Sequence, residues 1–191
     1  MFSPDMKKNI ILIIALVAIG ILGRVIPHPY NFTPMTAIAL LSAHAFKKKW
    51  IAIGTPIISF WISDIIINNF IYAGYYGGFT LFSPGVFWIY GSMACIALMG
   101  RFSLNKVSIS NVGLSSVAGS MIFFILTNFG VWAMSAMYAK SFAGLIQCYT
   151  FAIPFFGGTI LGDLLYSTIL FSSYSFALSK SSALNKASNL I

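Results

Sequence analysis

The chain is written as long apolar runs punctuated by short clusters of lysine and arginine, and that pattern limits the folds open to it. One run follows Lys7-Lys8, another ends at Lys47-Lys48-Lys49, a later one ends at Arg101 and Lys106, and the last gives way to Lys180 and Lys186. Charged residues make up 7% of the 191, where soluble domains carry about a quarter. The mean hydropathy is +0.90. So few charged groups cannot wrap an apolar core in water, so lipid is the expected outer solvent.

Run lengths predict an all-α membrane protein with six transmembrane helices, at residues 9–25, 33–46, 50–70, 81–100, 112–134 and 150–178. They belong to a single domain over 1–191 with a polar tail at about 179–191. The second run is short, since a crossing takes about 20 residues. The proline-rich link before it is therefore expected to dip into the membrane ahead of the helix. No small-x-small cleavage pattern precedes the prolines, so the first run reads as a retained span. With the N-terminus cytoplasmic, Lys7, Lys8, Lys47, Lys48, Lys49, Arg101, Lys106, Lys180 and Lys186 fall inside and only Arg24 and Lys140 outside. That is the positive-inside bias, and it places both termini in the cytoplasm. The net charge of +8 then reflects orientation in a bilayer, and no nucleic-acid partner is expected.

Pro27, Pro29 and Pro34 fall close together in the stretch from Arg24 to Pro34. Proline fixes φ, removes an amide donor and bars the preceding residue from the helical region, so this link is stiff and extended. It carries His28, Tyr30, Asn31 and Thr33 and is expected to cap a polar cavity on the outer side. Two of the three acidic residues, Asp64 and Asp163, lie inside apolar runs. A carboxylate at mid-bilayer costs at least ~2.5–3.5 kcal/mol, so each needs a partner or a wet hollow. Arg24, Lys140, the histidines, Asn68, Asn69 and Asn128 are the available partners. Three readings stay open: the acids tie helices together, they line a ligand cavity, or they relay protons. On the second, the ligand-binding candidates are His28, Tyr30, Asn31, Asp64, Asn128, Trp132 and Asp163. Ala39-x3-Ala43 and Gly158-x3-Gly162 read as sites of close helix approach. Cys95 and Cys148 have neither disulfide nor zinc spacing and are expected to be small buried hydrophobes. No nucleotide-binding loop, metal cluster or catalytic triad pattern is present, so neither an enzyme nor a cofactor or metal is expected.

The stretch from Arg24 to Ala37, the Ser63-Asp64 pair, Thr127-Asn-Phe-Gly-Val-Trp132 and the run from Cys148 to Asp163 together resemble a family of uncharacterised bacterial six-span integral membrane proteins. More distantly, size, span count and topology are similar to the S components of energy-coupling-factor (ECF) vitamin transporters. That resemblance implies an S-component-like bundle in the bacterial inner membrane and an outer cavity capped by the first loop. It further implies a small-molecule substrate such as a vitamin, and an ECF-type transmembrane and ATPase module as partner. Where S components dock that module through Ala-x3-Ala in the first span, this chain has Ala15, Ala18, Gly20 and Gly23. Two function classes follow: a substrate-binding subunit for nutrient uptake, or a non-transporting membrane scaffold.

Overall fold

The shortest of the main helices lies at the centre of the molecule. In the computed structural model, which describes residues 4–188 and the side chains of 6–180, the chain forms seven α-helices, with no strand among the described residues. These are α1 (Pro4–Val25), α2 (Met35–Ala45), α3 (Lys49–Ile66), α4 (Ala73–Tyr76), α5 (Val86–Ser103), α6 (Ile109–Met134) and α7 (Phe142–Ser188). A π-helical turn, Ile67–Ile71, extends α3. Five stretches are long and apolar enough to cross a membrane: Met6–Val25, Lys49–Ile71, Val86–Ser103, Ile109–Met134 and Phe142–Lys180. The chain is a membrane-spanning helical protein.

Every residue of α2 from Met35 to Ala43 is buried. A helix apolar on all sides belongs inside a protein and not on a surface. Its 11 residues rise roughly 16 Å at 1.5 Å each, about half of a ~30 Å hydrocarbon core. Helices α3, α5, α6 and α7 surround it. The approach is close because the partners offer glycine: a Cβ on Gly100 of α5 would sit 2.9 Å from Leu40, and one on Gly119 of α6 would sit 2.6 Å from the Thr36 methyl. Ala39 and Ala43 are both buried, and a Cβ on Gly100 would sit 3.3 Å from that of Ala43. Helix α1 is peripheral and leans on α3, where a Cβ on Gly20 would collide with the Ser59 hydroxyl. The glycines of α1 are thus consumed inside the protein, while Ala15 and Ala18 are exposed.

The link between α1 and α2 is held down on both sides. Pro34 starts α2, its carbonyl accepting from the Ile38 amide at 2.9 Å, where the missing proline N–H costs nothing. Its ring lies so close to Gly23 that a Cβ there would be 2.7 Å away. Asn31 takes a positive φ of 60°, a conformation asparagine tolerates better than most residues. The backbone around it lies on α7. A Cβ on Gly158 would strike the Tyr30 carbonyl oxygen, and one on Gly162 would be 3.0 Å from the Phe32 Cα. The Gly158-x3-Gly162 spacing therefore receives the proline-rich link, and not a neighbouring helix.

Helix α7 is longer than its apolar run suggests. It starts at Phe142, eight residues before 150, and continues to Ser188, so most of the expected polar tail is helical. Residues 189–191 lie outside the described residues. Its 47 residues span about 70 Å, more than twice the thickness of a hydrocarbon core. At the other end of the molecule the loop after α3 is pinned by amide side chains. Asn69 donates to the Thr80 carbonyl at 2.9 Å and accepts from the Thr80 amide at 2.7 Å, and Asn68 donates to Ser83 Oγ at 2.7 Å.

The two adjacent glycines of α7 make a matched test. Gly158→Ala should lower thermal stability in detergent by about 1–3 kcal/mol, because overpacking against backbone cannot be relieved by a rotamer change. Gly157→Ala has open space around its Cβ and should be neutral or slightly stabilising, as alanine is the better helix former.

Candidate functional site

The polar groups inside this apolar bundle gather around one region below the link. Arg24, in the last turn of α1, reaches α3 and pairs with Asp64, Nη1 to Oδ1 at 2.7 Å. The same nitrogen donates to Ser63 Oγ at 2.5 Å and to the Phe60 carbonyl at 3.1 Å. The guanidinium carbon stands 3.8 Å from the centre of the Phe60 ring. A residue deep in a membrane protein thus finds a counter-ion, a hydroxyl, a carbonyl and an aromatic face in one place, and burial of the charge becomes tolerable. Beside the pair, the Tyr90 hydroxyl is buried without a hydrogen-bond partner among the described residues.

Asp163 on α7 has no ion-pair partner among the described residues. It is 2% exposed, and its Oδ2 accepts from Ser120 Oγ of α6 at 2.5 Å. Thr36 of α2 lines the same cavity as this carboxylate. One turn along α7, Ser167 meets Ser116 at 3.0 Å, so the α6–α7 seam is built from serines that bring the helices close while keeping donors inside.

Between these two groups lies a cavity of about 100 Å³. Its polar wall is Arg24, Asn31, Thr33, Thr36, Thr159 and Asp163, and Met35, Phe60, Met93 and Phe123 supply the apolar wall. Asn31 and Thr33 come from the link, so the proline-rich segment forms part of the enclosure, as its stiffness suggested. The hollow presents a guanidinium and a carboxylate, with threonine hydroxyls and an amide between them.

The seven sequence candidates divide here. Asn31 and Asp163 line the cavity, and Asp64 acts on it through Arg24. His28 is exposed, its Nδ1 2.7 Å from the neighbouring Pro29 carbonyl. Tyr30 is 80% exposed and sets its ring edge-on to Phe155 at 5.6 Å. Asn128 donates to the Phe124 carbonyl of its own helix at 2.8 Å. Trp132 donates to the Ala139 carbonyl at 2.9 Å, and its own carbonyl accepts from Lys140. Cys148 is buried as expected, whereas Cys95 is exposed. Arg24, a possible partner by sequence, itself lines the cavity, as does Thr33 of the link. Thr36 and Thr159 carry no such signal, because a threonine in an apolar run looks the same whether it bonds its own helix or faces a hollow.

The support beneath Asp163 can be measured. Ser120→Ala removes the donor to a carboxylate with almost no solvent access and should cost about 1–3 kcal/mol of stability. Asp163→Asn keeps an oxygen for Ser120 and should cost less, which paired thermal melts will show.

Comparison with curated proteins and with solved structures gives no match. A family model matches residues 4–185, nearly the whole chain. The chain belongs to that family, a family of unknown function designated DUF6580.

Proposed function

We propose that this protein is a substrate-binding membrane subunit that takes up a small nutrient into the cell, in the manner of an S component. One observation carries the reading: the fully buried Asp163 and the paired Arg24 border the same partly open hollow beside the link. Polar groups in a transmembrane bundle are expensive and concentrate where a substrate or ion is handled.

The proposed topology has six crossings in a bacterial inner membrane, with both termini cytoplasmic. The short α2 and the link before it share the second crossing. Irregular backbone at membrane depth is tolerated when buried in protein, and this link lies against Gly158 and Gly162. Uptake through such a subunit needs an energising partner, for which an ECF-type transmembrane and ATPase module is the candidate. The reading assigns the protein no catalysis.

Cavity size sets the substrate scale. About 100 Å³ corresponds to roughly three water molecules at ~30 Å³ each. Pockets for drug-sized ligands hold ~300–1,000 Å³. A compact nutrient suits the hollow as it stands; a vitamin fits only if the link or the peripheral α1 moves away. The scaffold reading draws on the fact that both acids already have protein partners, Arg24 and Ser120.

A thermal-shift screen of small nutrients on the purified protein in lipid nanodiscs separates the two. A true ligand at a hundred times its Kd should raise stability by about 2.7 kcal/mol. That gain should shrink in Asp163→Asn. If no compound shifts the melt and both acid-to-amide variants lose stability alone, the scaffold reading stands in its place.

A further inference from the structure

We infer that the ligand of this cavity is a small zwitterion, one molecule carrying both a carboxylate and an ammonium group on a short apolar frame. The inference rests on the nutrient-binding reading above and names its substrate class.

The walls supply the reasons. Arg24 makes its contacts to Asp64, Ser63 and Phe60 through Nη1, and it also lines the cavity. Nη2 and Nε have no hydrogen-bond partner among the described residues, and a guanidinium edge matches a carboxylate in two parallel hydrogen bonds. Asp163 has the opposite sign and no ion-pair partner among the described residues, with Oδ2 engaged by Ser120. It offers an acceptor for an ammonium group. A purely anionic ligand would meet Arg24 but bring its charge against Asp163, and a purely cationic one would face the reverse conflict. The zwitterion satisfies both, because like charges brought together in a low-dielectric site repel strongly. The threonines at 33, 36 and 159 can serve either end, since a hydroxyl both donates and accepts. Phe60, Met93 and Phe123 accommodate the apolar frame. The volume of about 100 Å³ suits a frame about the size of glycine or alanine.

The test uses the full chain in lipid nanodiscs and three probes of nearly equal size: L-alanine, L-lactate and isopropylamine. Lactate replaces the ammonium group by a hydroxyl, and isopropylamine lacks the carboxylate. L-Alanine should bind, with lactate and isopropylamine each at least about tenfold weaker, the difference expected for losing one charge-assisted contact. Asp163→Asn should weaken alanine by a similar factor while strengthening lactate, which no longer meets a like charge, and so collapses the preference between them. Equal binding of lactate or isopropylamine by the unmodified protein overturns the inference whether or not the variant folds. So does tight binding of an uncharged compound when alanine and glycine are both ignored; in that case the nutrient-binding reading survives. Absence of binding by every compound removes both.

Discussion

The contact on which the architecture depends is the ion pair between Arg24 and Asp64. Helix α1 is the most peripheral of the long helices and meets mainly α3. Its apolar surface gives no reason to prefer α3 over lipid, because lipid tails are as apolar as leucine side chains. Specific polar contacts and close small-residue packing have to supply that preference. Gly20 against Ser59 provides the packing, and Arg24 on Asp64, Ser63 and Phe60 provides the polar contact. With the end of α1 fixed, the link leaves from a defined point, and its prolines allow it few other paths.

The rest of the site follows from that geometry. The link can reach α7 only because Gly158 and Gly162 leave room for its backbone, and this contact brings Asn31 and Thr33 over Asp163. Helix α2 then begins at Pro34 in the middle of the bundle and places Thr36 in the same cavity as Asp163. One opening therefore collects groups from α1, the link, α2, α3 and α7. Ion pair and lone carboxylate have different standing within it. The first holds its counter-ion on Nη1 and still presents its positive end to the cavity; the second accepts from the Ser120 hydroxyl and, with no ion-pair partner among the described residues, keeps its capacity for a positive partner.

Much of this was legible in the residues. Long apolar runs with basic punctuation gave the helices. Three prolines marked the link, and an acid in an apolar run marked each of two buried positions. Other parts depended on tertiary contacts that no local pattern encodes. The Gly158-x3-Gly162 spacing signals close approach without saying what approaches. Asn128 and Trp132 looked available for a ligand, but in the fold they bond carbonyls within their own neighbourhood. The helical extension of α7 past Leu178 was hidden because polarity of sequence limits burial and does not forbid a helix. Thr36 and Thr159 became visible only when the cavity gave them a common neighbour.

A double-mutant cycle on Arg24 and Asp64, read by thermal unfolding in detergent with Arg24→Met, Asp64→Leu and both together, tests the central claim most directly. Removing one member of a buried pair strands the other charge and should cost about 3–5 kcal/mol in each single variant. The double variant should lose far less than the sum, with a coupling of roughly 2 kcal/mol or more. Additive losses, or single variants as stable as the parent, would show that α1 and the link are held by something other than this pair.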